Sequence, residues 1–332
     1  MPFVDMNELF HRFSEMSVGV VGDIMLDTYW WGKVDRISPE APVPVVAVSK
    51  REQRIGGAGN VALNVRSLGA KVSMLSVLGK DEEGNQLTTL IQEPGINTKY
   101  LVQSTDRPTT NKIRIISRNQ HMMRLDAEVS EDLSNEDEEK LLFAFREFIA
   151  AESPQVVILE DYNKGVLTKR VIREIIELCQ KNNIITTVDP KRKNFFSYNG
   201  VDIFKPNLKE VKEGLNIISD EFNLDLLKQI HGLLGEQLRH KISFITLSEK
   251  GVFYQSSKKA DIIPTHIRNI ADVSGAGDTV IAVASLVYAA TKDVELMAEI
   301  ANIAGGLVCE EVGTVAIDKD KLLEECKLIL KS

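Results

Sequence analysis

From Leu133 onward short apolar runs alternate with long helical patterns, and that rhythm leaves few folds open to the chain. Helical spacing covers 135–151, 168–181, 207–214, 222–239, 276–291, 294–311 and 319–330. Strand-like runs lie at 156–159, 184–188, 202–204 and 242–247, with a β pair over 252–264. Strands separated by helices pair in parallel, and a parallel sheet needs cover on both faces. The expected class is α/β, a mainly parallel central sheet with helices on both faces. Upstream, Val18-Gly19-Val20-Val21-Gly22-Asp23 suits a buried first strand. Helical spacing at 60–68 stops at Gly69, 71–78 reads as a strand, and a helix over 81–91 ends near Pro94-Gly95.

Two stretches break the rhythm. Pro39, Pro42 and Pro44 lie too close together for a helix or a central strand, which leaves an extended edge segment. Residues 112–116 and 121–125 alternate around Ser117-Arg118-Asn119-Gln120, the pattern of a hairpin. We place both in a small β lid, inserted at about 28–52 and 97–127 into a single domain spanning 1–332.

Composition removes several function classes. A net charge of -8 gives no general attraction to nucleic acid or anionic lipid, so neither is an expected partner. The 3 cysteines are odd in number and far apart, against a disulfide framework. The 5 histidines show no i, i+4 pair, against a metal cluster or a histidine-based triad. The N-terminus does not read as a secretory signal and no apolar run reaches membrane-spanning length, so the expectation is cytoplasmic.

Ligands of open α/β sheets bind beyond the carboxyl ends of the strands. Asp23, Glu160, Asp161, Asp189, Asn207 and Ser248 follow predicted strands and should share one rim. The run Asp272-Val273-Ser274-Gly275-Ala276-Gly277-Asp278-Thr279 opens a helix. Its unpaired N–H groups can hold an anion and Asp278 can take a proton, as phosphoryl transfer to an alcohol requires. A glycine-rich helix start with an early-turn acid explains the same residues. Gly56-Gly57-Ala58-Gly59-Asn60 fits neither GxGxxG nor a P-loop. It admits a polyhydroxylated ligand, or Asn60 merely caps a helix. Asn207-Leu208-Lys209-Glu210 can hold phosphate oxygens and a Mg²⁺-bound water, or form a capping box. Ser248 and Gly251 lie in a tight turn that could line a nucleotide, and Asn302 interrupts an apolar helix. Lys112, Arg114, Arg118 and Arg124 bring basic charge to the lid, as a solvated face or as a clamp for a sugar phosphate.

Taken in this order, the segments resemble the PfkB, or ribokinase-like, sugar kinases over essentially the whole chain. The resemblance implies ATP and Mg²⁺ as cofactors, with Asp278 as catalytic base and Gly275, Ala276 and Gly277 as the anion hole. It implies that Asn207 and Glu210, with Leu208 and Lys209 between them, lie by the phosphates, Glu210 reaching Mg²⁺ through water. Ser248, Gly251 and Asn302 fall where ATP is held, and Asp272 and Ser274 where a monovalent cation such as K⁺ binds. Gly22–Trp30, Arg36–Val45, Ser117–Gln120 and Asp161-Tyr162-Asn163-Lys164-Gly165 are similar to the branch acting on D-glycero-β-D-manno-heptose 7-phosphate. That branch phosphorylates the anomeric hydroxyl to the 1,7-bisphosphate, toward ADP-heptose and the lipopolysaccharide core. It implies Asp27, Gly56, Gly57, Asn60 and Asp161 on the sugar, then Asp189 and Lys191, with Lys112 and Arg118 on the 7-phosphate. It also implies a homodimer formed through the β lids. No HxGH nucleotidyltransferase element lies in these 332 residues, so a separate enzyme is expected to attach the nucleotide. The alternatives are a PfkB kinase for another sugar or sugar phosphate, a non-catalytic sugar-phosphate sensor and, more distantly, a nicotinamide-dependent oxidoreductase.

Overall fold

The computed structural model describes residues 5–118, 120–218, 223–266 and 268–330. Its elements run α1 (Met6–Phe13), β1 (Ser17–Gly22), β2 (Ile24–Ile37), β3 (Pro44–Gly57), α2 (Ala58–Ser67), β4 (Lys71–Gly79), α3 (Glu82–Gln92) and β5 (Leu101–Ser104). There follow β6 (Asn111–Ser117), β7 (Gln120–Ala127), α4 (Asn135–Glu152), β8 (Val156–Glu160), α5 (Lys169–Lys181), β9 (Ile185–Asp189), β10 (Ile203–Phe204) and α6 (Leu208–Leu215). The last are α7 (Leu224–Leu238), β11 (Ile242–Thr246), β12 (Val252–Gln255), β13 (Ala260–Ile263), α8 (Ala276–Thr291), α9 (Val294–Val308) and α10 (Lys319–Ile329).

Nine strands form the large sheet in the order β13-β12-β11-β10-β9-β8-β1-β4-β5, with β12 antiparallel to both of its neighbours. Each central strand divides its side chains between two cores, which is why these strands read as unbroken apolar runs. Val156 and Ile158 pack with α1, α2, α8, α9 and α10, whereas Val157 and Leu159 pack with α4, α5 and α7. The chain runs outward from β1 through β4 to β5, then returns to the far side of β1 as β8. That reversal opens a crevice between the carboxyl ends of β1 and β8, where α/β sheets place ligands.

A second sheet, β3-β2-β6-β7, forms the lid, with β2 parallel to β6 and the other pairs antiparallel. Its boundaries differ from the sequence expectation at both insertions. The first piece begins at Ile24 and ends at Gly57, so its strands run directly into the body. The second begins at Asn111, because β5 pairs with β4 in the large sheet. Helix α1 has no counterpart in the sequence reading. It is eight residues long, yet Leu9, Phe10 and Phe13 are buried and Asp5 caps the Asn7 N–H at 2.8 Å. Asn119 in the expected hairpin turn and Phe222 at the expected start of α7 lie outside the described residues.

Candidate active site

Helix α8 starts where the loop after β13 returns to the crevice. Gly275 takes φ +81°, a left-handed turn open to glycine, and a Cβ there would stand 3.0 Å from Asn60 Nδ2. No side chain caps the helix. Among the described residues the N–H groups of Gly277 and Asp278 meet no acceptor, so two amides at the positive end of the dipole stay available. The Ala276 amide is different from the expectation. The tight turn aims it at the Val273 carbonyl, 3.3 Å away, which removes it from the expected anion hole.

Asp278, in the first turn, is buried. Its Oδ2 accepts from Asn60 Nδ2 at 2.7 Å and its Oδ1 from the Tyr162 hydroxyl at 2.8 Å. Burial raises its pKa to about 6, while the two hydrogen bonds resist that rise. Among the described residues the buried Asn60 Oδ1 has no partner, an acceptor open to a hydroxyl donor. Asn60 is not a cap, because Gly57 holds the N-cap position of α2; the first turn of α2 instead aims its amide at the carboxylate of α8.

Two ammonium groups meet at Asp189, and one of them, Lys205, stands beside Gly277. Lys205 is buried and pairs with Asp189 Oδ2 at 2.8 Å. Lys191 reaches Asp189 Oδ1 at 3.2 Å and Glu210 Oε1 at 2.9 Å. Burial alone would lift the Asp189 pKa, but Lys205 and Lys191 hold it below the ordinary carboxylate range. Glu160, at the end of β8, is fully buried with neither oxygen paired among the described residues, and burial followed by Asp189 and Asp278 pushes its pKa well up. Asp23 organises the next loop: its carboxylate accepts the N–H groups of Tyr162, Val166 and Lys164 at 2.8, 3.0 and 3.1 Å.

The sequence profile of the pfkB family carbohydrate kinases matches residues 16–321. The chain belongs to the PfkB family. It is therefore a phosphotransferase acting on a sugar hydroxyl. The bifunctional protein HldE of Shewanella sediminis (strain HAW-EB3) is 41% identical over 312 residues, covering 94% of this chain and 63% of that protein. HldE of Sulfurimonas denitrificans (strain ATCC 33889 / DSM 1251) is 39% identical over 306 residues, 92% of this chain and again 63% of the relative. The chain thus spans about 63% of the length of the curated relatives it matches. Arabidopsis thaliana ribokinase, solved with ribose and ATP, superposes with a TM-score of 0.72 at 17% identity over 93% of this chain and 99% of that one. Escherichia coli phosphofructokinase-2, solved with potassium, gives 0.79 at 16% identity over 96% and 100%. The fold is ribokinase-like.

In this PfkB kinase the remaining expected site residues divide by what their side chains already hold. Asn207 and Glu210 form a reciprocal capping box on α6, each side chain taking the other's backbone N–H at 2.8 Å. The capping explanation holds, and it also points Glu210 Oε1 toward Lys191. Leu208 packs into the core beside α6, and Lys209 is exposed toward Glu213. Asn302 donates to the Pro264 carbonyl at 2.9 Å, anchoring the loop that leads to α8. Ser248 and Gly251 shape the turn after β11 with φ +56° and +97°. Asp272 accepts from the Ser274 N–H at 2.9 Å and the Gly313 N–H at 3.0 Å, tying that loop to the segment before α10.

Three expectations need correction. Asp161 is buried with both oxygens already engaged, one by the Tyr198 hydroxyl and one by the Asn163 N–H, each at 2.7 Å, and burial raises its pKa to about 6. Lys112 is not free for a phosphate, because Glu128 at 2.9 Å and Asp126 at 3.4 Å hold its ammonium. Arg118 occupies the exposed hairpin turn at φ +48°, away from the lid's root. On the body-facing side of the lid, Arg54 and Arg114 instead flank the Tyr29 ring, 5.1 and 5.2 Å from its centroid, and Arg114 pairs with Asp27. Gly56 gives room to the Asp27 carboxylate, which a Cβ would strike.

The sequence reading gave no role to Tyr162, Lys205 or Arg54. Tyr162 and Lys205 follow strand ends, so the rim argument that found Glu160 and Asn207 could have reached them. Arg54 needed the register of β2 with β3, which pairs it with Asp27.

Proposed function

We propose that this kinase transfers the γ-phosphoryl group of ATP to the anomeric hydroxyl of D-glycero-β-D-manno-heptose 7-phosphate. The observation that carries the reading is Asp278, gripped on both oxygens beside two unpaired helix amides. The sugar oxygen attacks the γ-phosphorus, its proton passes to Asp278, and the bond to the β-phosphate oxygen breaks to release ADP. The Gly277 and Asp278 amides, with Lys205 and Lys191, oppose the charge spread over the phosphoryl oxygens. Mg²⁺ bound to ATP would neutralise phosphate charge, and Glu210, a hard oxygen donor at the rim, suits a water-mediated contact to it. Asp272 and Ser274 offer the carboxylate and hydroxyl oxygens that suit a monovalent cation such as K⁺.

The heptose ester is supported by the HldE relatives and by the lid. Pairing puts Arg54, Asp27 and Lys112 in one row and Glu52, Tyr29 and Arg114 in the next, all on one face. Arg54 and Arg114 each pair with a single carboxylate, Glu52 and Asp27, whereas Lys112 is shared between two, and we assign the two arginines to the 7-phosphate in place of Lys112 and Arg118. The opposite face stacks Trp30, Ile115 and Met123, with Ile113 and Leu125 alongside. Met123 is 57% exposed and Leu125 43%, an apolar surface that a second lid would cover to form the homodimer.

The test is an ADP-release assay over heptose 7-phosphate, fructose 6-phosphate, ribose and buffer. Turnover confined to the heptose ester is the expected result. Equal or better turnover of fructose 6-phosphate or ribose would replace this reading with another PfkB kinase, and no ADP from any sugar would favour the sensor.

A further inference from the structure

Tyr162 enters the site from the loop after β8 and is fixed at three points. Its N–H donates to Asp23 Oδ2 at 2.8 Å, its hydroxyl to Asp278 Oδ1 at 2.8 Å, and the Lys191 ammonium lies 5.6 Å from its ring centroid. Lys191 is itself held by Asp189 and Glu210, so the ring has a charged backstop rather than free space behind it. Burial and then Asp278 raise the phenol's pKa well above its ordinary value, so the group stays a neutral donor across the working pH range.

We propose that Tyr162 is a positioning residue of this kinase, whose phenol clamps the Asp278 carboxylate at Oδ1 so that the sugar hydroxyl meets a base of fixed orientation. The inference rests on Asp278 being the base. With Asn60 on the opposite oxygen, the two donors hold both arms of the carboxylate, so neither arm rotates toward Lys205. The groups facing Asp278 are few and named: Asn60 from α2, Tyr162 and Glu160 from the end of β8, Asp189 from β9 and Lys205 after β10. Of these, Asn60 and Tyr162 are the ones that hydrogen-bond to it, and both favour its charged form. Removing the phenol leaves burial and the two carboxyl neighbours less opposed, so Asp278 should hold its proton to higher pH.

The experiment is a ¹³C NMR titration of aspartate carboxyls, with the Asp278 resonance assigned by its loss in Asp278→Asn. It needs no ligand. In Tyr162→Phe the Asp278 resonance is expected to titrate at a clearly higher pH than in the parent, where burial pushes its pKa up to about 6. Replacing Tyr162 by 3-fluorotyrosine keeps the volume, strengthens the donor and should move the titration the other way; it decides the matter if the phenylalanine variant does not fold. With heptose 7-phosphate as the probe, kcat of Tyr162→Phe should fall roughly 5- to 50-fold with KM nearly unchanged, the cost of a loosely held base. Titrations that superimpose on the parent in both variants overturn the proposal. Near-parental turnover by Asp278→Asn would instead overturn the base assignment, whatever the titrations show.

Discussion

Asp278 combines a function and a thermodynamic burden in one carboxyl group. Its pKa of about 6 in the folded chain lies above the ordinary carboxylate value near 4, so the native state binds the proton more tightly than the unfolded one. The sign follows directly. Stability is lost as pH rises from about 4 through about 6, and the full penalty is present above that. With Asp278 as the proposed base, activity runs the opposite way, since a base works only when ionised. Asp278→Asn should therefore lose roughly 10²–10⁴ in turnover while retaining nucleotide binding, measured by ADP release and by titration calorimetry. An asparagine can accept from Asn60 and donate to the Tyr162 oxygen, so both contacts survive. The Tm of the variant minus that of the parent should grow between about pH 4 and about pH 7, by the equivalent of at most about 3 kcal/mol. A difference independent of pH would show that Asp278 is not the titrating group.

At the scale of elements, α6 shows how one motif serves two purposes. Its capping box is complete, and its glutamate also holds Lys191. The two purposes separate by substitution. Glutamine can still complete a capping box but brings no charge to Lys191 or to a Mg²⁺-bound water. Glu210→Gln should keep Tm close to the parent's while turnover falls at least tenfold, whereas Asn207→Ala should cost about 1 kcal/mol of stability through the lost cap. Thermal melts paired with ADP release check both. The join of β3 to α2 is a second such element. Gly57 takes φ +61°, and a Cβ there would run into the Asp23 carbonyl. Gly57→Ala should destabilise by about 1–3 kcal/mol, read by denaturant unfolding.

The sequence made these elements legible in unequal measure. Long apolar helices such as α8 and α9 fall almost where the sequence puts them, because they are buried nearly all round and an unbroken apolar run marks their extent. Gly275 was legible because it takes the left-handed turn into α8, which glycine adopts without strain. Lys112 misled because charge was visible in the sequence while its acceptors, Asp126 on the adjacent strand and Glu128 just beyond it, became apparent only through pairing. Asp161 misled in the same way, its partner Tyr198 lying 37 residues along the chain. Side-chain partnership across distant segments carries no periodic signal.

At the scale of the whole molecule, the lid is amphipathic across its thickness, polar toward the body and apolar outward. If two lids stack by their apolar faces, a charge in that layer has no favourable place. Met123→Glu should shift the chain from dimer to monomer in sedimentation velocity without lowering the Tm of the monomer by more than about 1 kcal/mol, because the position is exposed in the single chain. A parent that sediments as a monomer at micromolar concentration would remove the lid dimer altogether.

Because β2 starts next to Asp23 and β3 ends at Gly57, three residues before Asn60, the lid is rooted in the floor of the cleft. A swing of that sheet cannot occur without tugging on Asn60, which we assign to the acceptor. Uncovering the pocket and letting go of the phosphorylated sugar would then be one event, and added viscogen should slow steady-state turnover even though the phosphoryl transfer itself is indifferent to solvent friction.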